Sequence, residues 1–250
     1  MDWAACVLPR HGEDAHFGHA AAGVVGVADG VGGCRDAGVD AGAFARALMA
    51  DALAAAELAA SGAGMRRRLR PEMLLARAYR KAVRQGTPGA STAVVVSLDG
   101  TALRWAYIGD SAFAVLRGGE IVHRSAPQRG PVFNCPLQLS SDSRRSDRLA
   151  DAEVGGMPEV RDGDVLVVGT DGLFDNMHDA DLELCVRMGM RFSPQRVADT
   201  IAAIAYEKSR NAYARSPFSM AYEEAFGEPC CGGKEDDITV IVAYIVSNNT

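Results

Sequence analysis

The sequence predicts an α+β fold in which antiparallel sheets are covered by helices. Short runs of β-branched residues follow one another along the chain and are joined by turns of the hairpin type, whereas the long helical segments stand in groups of their own. A doubly wound parallel sheet would instead need strands and helices in strict alternation. The chain has 250 residues and no segment divides it, so we expect a single domain over residues 1–250.

The first third of the chain is predicted to contain one buried strand and two helices. Residues 18–28 end in a valine-rich run that stops at Asp29-Gly30, which predicts a buried strand followed by a tight turn. Residues 41–60 are rich in alanine, with apolar residues at helical spacing, and predict a long helix. A second helix is predicted for residues 71–85, because its first residue is a proline, which the first turn tolerates.

The middle and the end of the chain complete this pattern. Asp-Gly and Gly-Gly pairs predict hairpins between neighbouring apolar runs, while residues 125–160 are polar and predicted to be irregular. The remaining predicted strands are residues 93–98, 103–108, 112–117, 120–124, 165–168 and 238–246. The remaining predicted helices are residues 179–188, 194–210 and 219–226.

Composition and charge exclude some classes of protein. The net charge is −6 and the sequence pI is about 5.4, which argues against a nucleic-acid binder, since such a protein needs a basic face. The basic run Arg66, Arg67, Arg68 and Arg70 is interpreted as a solvated connector, with a docking patch for an acidic partner as the alternative. The six cysteines are scattered, which indicates reduced thiols rather than a zinc site or a disulfide framework.

The sequence also sets expectations about location. It contains no run of about 18 apolar residues, so we expect no membrane span. The first acidic motif comes too early to leave room for a signal or transit peptide before it. We therefore expect a cytoplasmic or nuclear protein, with a plastid or a mitochondrion as the alternative if a transit peptide has been removed.

Carboxylates stand at the ends of the predicted strands. Asp29, Asp110 and Asp171 each follow an apolar run, Asp236-Asp237 precede the last run, and Glu13-Asp14 lead into the first. In an antiparallel sheet the end of one strand lies beside the start of the next, so these side chains are expected to gather along one edge. A single Asp-Gly pair is usually a turn, and the combination of five such positions is what indicates a site.

Carboxylates gathered in this way repel one another unless protons or cations offset their charge. With oxygen ligands, and without a histidine–cysteine set, the expected ions are magnesium or manganese. Two such ions about 4 Å apart bridge a water, lower its pKa and orient it for in-line attack on phosphorus. The sequence therefore predicts a centre with two or more divalent cations.

Six segments, taken in order, resemble the type 2C metal-dependent serine/threonine protein phosphatases. They are residues 12–17, 27–33, 89–96, 108–111, 162–176 and 235–243. The D-G-V-G-G sequence at residues 29–33 is similar to the branch that contains plant and organellar members. The resemblance implies a four-layer α-β-β-α sandwich, in which two antiparallel sheets are flanked by helices. It also implies a monomer that hydrolyses phosphoserine and phosphothreonine in phosphoproteins with a metal-bridging water and no covalent phosphoenzyme.

The resemblance assigns roles to single residues in the first metal site. Asp29 matches the aspartate that bridges both metals, and Gly30 matches the residue that contributes a backbone carbonyl. Asp171 and Asp236 match the other ligands of the first metal, so Asp29, Asp171 and Asp236 are the predicted catalytic set. Asp237 is ranked below its neighbour.

The second metal and a further ion involve other carboxylates. Glu13 matches the acidic residue on the side of the second metal, with Asp14 in support. Asp110 matches a position associated with a further, weaker metal.

Two departures from the family pattern concern the chemistry. Val31 stands where many relatives have a histidine that acts as a general acid, so another group must protonate the leaving alkoxide. Pro9 stands where the phosphate-binding arginine is common, and Arg10 follows it. Arg10 is the predicted phosphate ligand because its guanidinium binds phosphate oxygens bidentately, with an ordinary surface arginine as the alternative.

Two other functions are kept as alternatives. Val31 and the shifted Arg10 would also suit a catalytically silent relative that binds a phosphoprotein as a scaffold. The same metal centre would serve a phosphohydrolase that acts on small molecules.

Overall fold

The structure is a computed structural model that describes residues 1–33, 38–61, 69–142 and 148–246. Its strands are β1 (Asp2–Leu8), β2 (Asp14–His19), β3 (Val24–Asp29), β4 (Ala90–Ser91), β5 (Ala93–Asp99), β6 (Ala102–Ile108), β7 (Ala112–Arg117), β8 (Glu120–Arg124), β9 (Leu139–Ser140), β10 (Glu153–Met157), β11 (Val165–Gly169) and β12 (Ile238–Tyr244). Its α-helices are α1 (Ala41–Ser61), α2 (Pro71–Arg84), α3 (Asp171–Phe174), α4 (Asp179–Gly189), α5 (Pro194–Ser209) and α6 (Pro217–Phe226).

Two antiparallel five-stranded sheets form the centre of the molecule. One sheet has the order β1-β12-β11-β7-β8 and the other has the order β10-β6-β5-β3-β2. Helices α1 and α2 cover the second sheet, while α4 and α5 cover the first. The predicted four-layer α-β-β-α sandwich is therefore confirmed, with one core between the sheets and one under each helical layer.

Strand β3 explains why its sequence is a continuous apolar run. Successive side chains of a strand point to opposite faces of the sheet. Val24 and Ala28 pack under the helices, whereas Val25 and Val27 point into the core between the sheets. Because both faces of this strand are buried, the alternation of polar and apolar residues is lost.

The helices follow the local signals in the sequence. Along α1, Phe44, Leu48, Ala52 and Ala56 are buried at a spacing of four residues, so one stripe of this helix faces the sheet. Helix α5 begins at a proline in its first turn, and Ser193 caps it by accepting a hydrogen bond from the backbone of Arg196. The predicted helices agree with the observed ones to within two residues at each end.

Several strands differ from the prediction or were missed by it. The single strand expected over residues 18–28 is a hairpin of β2 and β3, turned at Gly23 with φ +63°. Strand β1 lies half-buried at a sheet edge, so its sequence carries no regular pattern. Residues 125–160, predicted to be irregular, contain β9 and the edge strand β10, whose Gly155 lies so close to Trp105 that a Cβ would be 2.5 Å from the indole nitrogen.

Some expectations fall partly outside the described ranges. The residues outside the described ranges include Cys34 and, from the basic run, Arg66, Arg67 and Arg68. The interpretation of the basic run therefore remains a prediction. The five described cysteines are free thiols. No helix within the described ranges is long and apolar enough to cross a membrane.

Candidate metal centre

The carboxylates predicted to gather do lie along one edge of the sandwich. Asp29 ends β3, Asp171 begins α3 directly after β11, and Asp236 stands just before β12. These three residues line a cavity of about 500 Å³ together with Glu13 and Gly30. Asp110, in the link between β6 and β7, lines a neighbouring cavity of about 530 Å³ together with Asp175.

The glycines that follow Asp29 and Asp171 are required by close packing rather than by a left-handed turn. A Cβ on Gly30 would lie 2.1 Å from the carbonyl oxygen of Ala41, and one on Gly172 would lie 2.0 Å from that of Asp237. Each Asp-Gly pair therefore marks a point where a second segment passes directly against the backbone. This differs from the tight turn expected at Gly30.

Hydrogen bonds from hydroxyl groups hold the backbone around Asp29. Its carbonyl accepts from the Ser91 hydroxyl at 2.8 Å and from the backbone N–H of Thr92 at 2.9 Å, while its own N–H donates to the Thr92 hydroxyl at 3.2 Å. Across the β2–β3 pair, Asp14 stands directly opposite Asp29. The Thr170 hydroxyl donates to Oδ2 of Asp14 at 2.8 Å, which fixes this carboxylate beside the centre.

Asp237 has a structural position that its neighbour Asp236 does not share. Its carboxylate accepts hydrogen bonds from the backbone N–H groups of four consecutive residues, Arg10 to Glu13. Burial acts to raise the pKa of Asp237, but these hydrogen bonds outweigh it and hold the pKa below its usual range. Asp237 therefore shapes the loop that carries Glu13, and its side chain points away from the shared cavity.

The electrostatics of the remaining carboxylates are those of a crowded acidic site. Removal from water, with the charges of Asp171, Asp14 and Asp236, raises the pKa of Asp29 well above its usual range. Burial raises the pKa of Asp14 to about 8, against the hydrogen bond from Thr170. Burial and the charge of Asp171 raise the pKa of Asp236 as well. The fold thus holds these groups in positions where protons or cations must offset their charge.

The carboxylates of the neighbouring cavity also have raised pKa values. Burial, followed by the charges of Asp171 and Asp175, raises the pKa of Asp110 to about 7. Burial and the charge of Asp171 raise the pKa of Asp175 to about 6, although Lys234 and Arg129 lower it. The two cavities therefore share one electrostatic environment, centred on Asp171.

Lys234 is the functional residue that sequence reasoning missed. Its ammonium contacts Oδ2 of Asp171 and lies 3.2 Å from a carboxylate oxygen of both Asp175 and Asp236. Burial acts to lower the pKa of Lys234, but these three carboxylates outweigh it and raise the pKa. The available signal was a lysine two positions before Asp236, in a loop that is otherwise acidic.

The donor set fits divalent cations. Oδ1 of Asp110 and Oδ1 of Asp171 are buried and receive no hydrogen bond from any described residue, so each has an oxygen free for an ion. Oxygen donors of this kind suit Mg²⁺ and Mn²⁺. In the described ranges, however, no three acidic, histidine or cysteine side chains are already arranged to hold an ion. The ammonium of Lys234 lies between the carboxylates of Asp171 and Asp236.

The predicted phosphate ligand lies at the rim. The guanidinium of Arg10 pairs with Glu235, and both side chains are nearly half exposed. The cavity lining includes His11 and Val31 but not Arg10. The assignment of phosphate binding to Arg10 therefore stays a prediction, which requires this side chain to leave Glu235.

Comparison with known proteins identifies the family. The family model for protein phosphatase 2C matches residues 10–205. A protein of Oryza sativa subsp. japonica named "Putative protein phosphatase 2C 23" is 49% identical over the whole chain, which spans 76% of that relative. The protein phosphatase PTC7 homolog of Xenopus laevis is 37% identical over 94% of the chain and 82% of its own length.

Solved structures show the same architecture. The structure of the photosystem II phosphatase PBCP superposes with a TM-score of 0.85, at 28% identity, and the match covers 98% of each chain. The catalytic domain of the serine/threonine protein phosphatase PstP, solved with two manganese ions, shares the fold with a TM-score of 0.67 at 19% identity, over 98% of this chain and 97% of that one. The acidic centre, the sandwich and these matches together show that the chain belongs to the protein phosphatase 2C family of serine/threonine protein phosphatases.

Proposed function

We propose that this phosphatase hydrolyses phosphoserine and phosphothreonine through divalent cations, Mg²⁺ or Mn²⁺, held by Asp29, Asp171 and Asp236. The observation that carries the proposal is the set of buried carboxylates around one cavity, whose like charges the fold does not fully compensate. The carbonyl of Gly30 and the carboxylate of Glu13, which line the same cavity, would complete the ligands.

The bound cations would supply positive charge for the phosphoryl oxygens and a water of lowered pKa that attacks phosphorus directly, without a covalent phosphoenzyme. The chain itself orients this chemistry. Ser91 and Thr92 fix the backbone of Asp29, and Asp237 fixes the loop that carries Glu13. Both supports act on backbone groups rather than on the carboxylates of Asp29 and Glu13.

A phosphothreonine peptide provides the test. Phosphate release is measured with Mn²⁺, with Mg²⁺ and with excess chelator, for the natural protein and for Asp29→Asn. We expect release that needs a divalent cation and falls by about a hundredfold or more in the variant, since a metal ion supplies several kcal/mol of transition-state stabilisation.

Two controls make the result specific. Asp99→Asn removes the aspartate of a hairpin turn outside the centre and should leave phosphate release unchanged. The unfolding temperature of Asp29→Asn shows whether the variant is folded. A folded Asp29→Asn protein with undiminished release would contradict the proposed centre, and release that persists in chelator would contradict the role of the metal.

A further inference from the structure

Lys234 places a positive charge inside the acidic centre. Its side chain is 13% exposed, and its ammonium faces carboxylate oxygens of Asp171, Asp175 and Asp236. The ring of Phe218 lies 6.0 Å from the ammonium and closes another side of its environment. An ammonium in this position offsets part of the negative charge that metal ions would otherwise have to offset.

The backbone of Lys234 is held in place beside the centre. The buried side chain of Asn176 donates to the carbonyl of Lys234 at 2.9 Å and accepts from its N–H at 2.9 Å. The same amide also donates to the carbonyl of Gly172 at 2.8 Å, which ties this loop to helix α3. A Cβ on Gly233 would lie 2.2 Å from the carbonyl oxygen of Lys208, so the preceding residue is packed tightly as well.

The ammonium stands on one side of Asp171. It binds Oδ2, whereas Oδ1 of Asp171 receives no hydrogen bond from any described residue. Lys234 and Asp171 line the cavity that contains Asp29, and Asp175, another partner of the ammonium, lines the neighbouring one with Asp110. Lys234 is therefore at the boundary between the two cavities and leaves one face of Asp171 open to an ion.

We propose that Lys234 is an internal cation that occupies the Asp171–Asp175 side of the centre in place of a divalent ion. The centre then saturates with two divalent ions on the Asp29 side, and a further ion at Asp110 and Asp175 binds only where the ammonium is removed. Lys234 acts in this way as a positioning residue, because it holds Asp171 in place. The inference rests on the proposed function, since it assumes that Asp29, Asp171 and Asp236 hold metal.

Metal stoichiometry tests the inference without reference to turnover. Mn²⁺ binding is measured by calorimetry and by the loss of the free-ion EPR signal, for the natural protein and for Lys234→Met, which keeps the apolar stem. We expect two ions in the natural protein and three in the variant, with the first ions bound at least about tenfold more tightly because a nearby positive charge is gone. The matched control is Lys81→Met, which removes a lysine paired with Asp51 outside the centre and should leave both values unchanged.

A second variant covers the case in which Lys234→Met does not fold. Lys234→Met combined with Asp175→Asn removes one positive and one negative charge together, and it also removes a ligand of the proposed extra ion. We expect this double variant to fold in chelator and to bind two ions. Three ions in the natural protein, or equal stoichiometry and affinity in the natural protein and in folded Lys234→Met, would overturn the inference.

The result is separable from the proposed function. If Asp29→Asn binds Mn²⁺ as well as the natural protein, the metal centre itself is wrongly assigned. If Asp29→Asn loses Mn²⁺ binding while Lys234→Met behaves like the natural protein, the centre stands and the role of Lys234 as an internal cation is wrong.

Discussion

The two ends of strand β11 carry two aspartates with opposite electrostatic conditions. Asp164, just before the strand, is 1% exposed and accepts hydrogen bonds from Arg117 at 2.8 and 2.7 Å and from the N–H of Arg161 at 2.8 Å. Asp171, just after the strand, lies among other carboxylates and keeps one oxygen without a hydrogen bond from any described residue. The two residues are at the ends of the same five-residue strand.

This difference separates a structural carboxylate, Asp164, from a proposed metal ligand, Asp171. Burial acts to raise the pKa of Asp164, but the hydrogen bonds from Arg117 and Arg161 outweigh it and lower the pKa, so the ionised form stabilises the fold. Around Asp171 the pKa values of neighbouring carboxylates are raised, so their ionised forms destabilise the metal-free fold. Burial alone does not distinguish the two residues, whereas the supply of hydrogen-bond donors does.

The largest expected effect comes from replacing each aspartate by asparagine. Asp171→Asn should lower kcat/KM by about a hundredfold or more, because a proposed metal ligand is lost, and should leave the unfolding temperature in chelator nearly unchanged. Asp164→Asn should lower the unfolding temperature by several degrees, because Arg117 loses its ionised partner, while the folded fraction keeps its kcat/KM. Phosphate release by the two variants measures the change in kcat/KM, and their thermal unfolding measures the change in stability.

The distinction between Asp164 and Asp171 is wrong if the loss of activity and the loss of stability are found in the opposite variants. A folded Asp171→Asn protein with ordinary activity, or an Asp164→Asn protein of ordinary stability but low activity, would show that the two ends do not divide structure from function. Arg117→Met is a second test of the structural end and should reproduce the loss of stability in Asp164→Asn.

The pH dependence of stability should also differ between the two ends. The pKa values of Asp14, Asp110 and Asp175 are raised to about 8, 7 and 6, so the metal-free folded protein holds protons that the unfolded chain has already released. Their contribution is greatest below the unfolded pKa and is lost as the pH rises through the folded values. Asp164 has the opposite sign, since its contribution is lost as the pH falls through its lowered pKa.

Thermal unfolding with and without Mg²⁺ at pH 5.5 and pH 8 measures this dependence. We expect Mg²⁺ to raise the unfolding temperature by several degrees more at pH 8, because at pH 5.5 the ion must displace protons. Asp110→Asn should reduce the pH dependence of the metal-free protein. A stabilisation by Mg²⁺ that is equal at both pH values would contradict the raised pKa values.

The smallest expected effect concerns Arg10 at the rim of the centre. Its ion pair with Glu235 is exposed and contributes less than about 1 kcal/mol, so a substrate phosphate can replace Glu235. Arg10→Met should raise the KM for a phosphopeptide about three- to tenfold with little change in kcat, since binding phosphate replaces the existing ion pair with Glu235 and only the difference is gained. Glu235→Gln is the matched control and should leave KM equal or lower it. An unchanged KM in Arg10→Met would leave Arg10 as a surface residue.

The fold and the carboxylates at strand ends could be predicted because both depend on local sequence. An apolar run that stops at an aspartate is visible in the sequence at Asp29 and Asp171, and antiparallel pairing brings such ends together. Strand β10 was missed because its two glycines serve close packing against β6, Gly155 against the ring of Trp105 and Gly156 against the backbone of Leu103, which local propensity does not reveal.

The parts of the site that could not be predicted from the sequence depend on contacts between distant segments. Lys234 enters the centre because Asn176, 58 residues earlier, holds its backbone. Asp237 differs from Asp236 because its carboxylate meets the N–H groups of residues 10–13. Neither contact is marked by a sequence pattern, because each forms only where two distant segments meet in the folded chain.

The hydrogen bonds of Asp237 have a consequence for biosynthesis. Each of them joins two residues that are separated by 224 to 227 positions in the sequence. Strand β12, which follows Asp237, inserts between β1 and β11. During translation, β1 therefore has no neighbouring strand until β12 has left the ribosome, and contacts of this sequence separation form slowly. A nascent chain interrupted before β12 would expose an unpaired strand and lack the loop geometry of Glu13. A chain that ends before β12 is therefore expected to lack phosphatase activity.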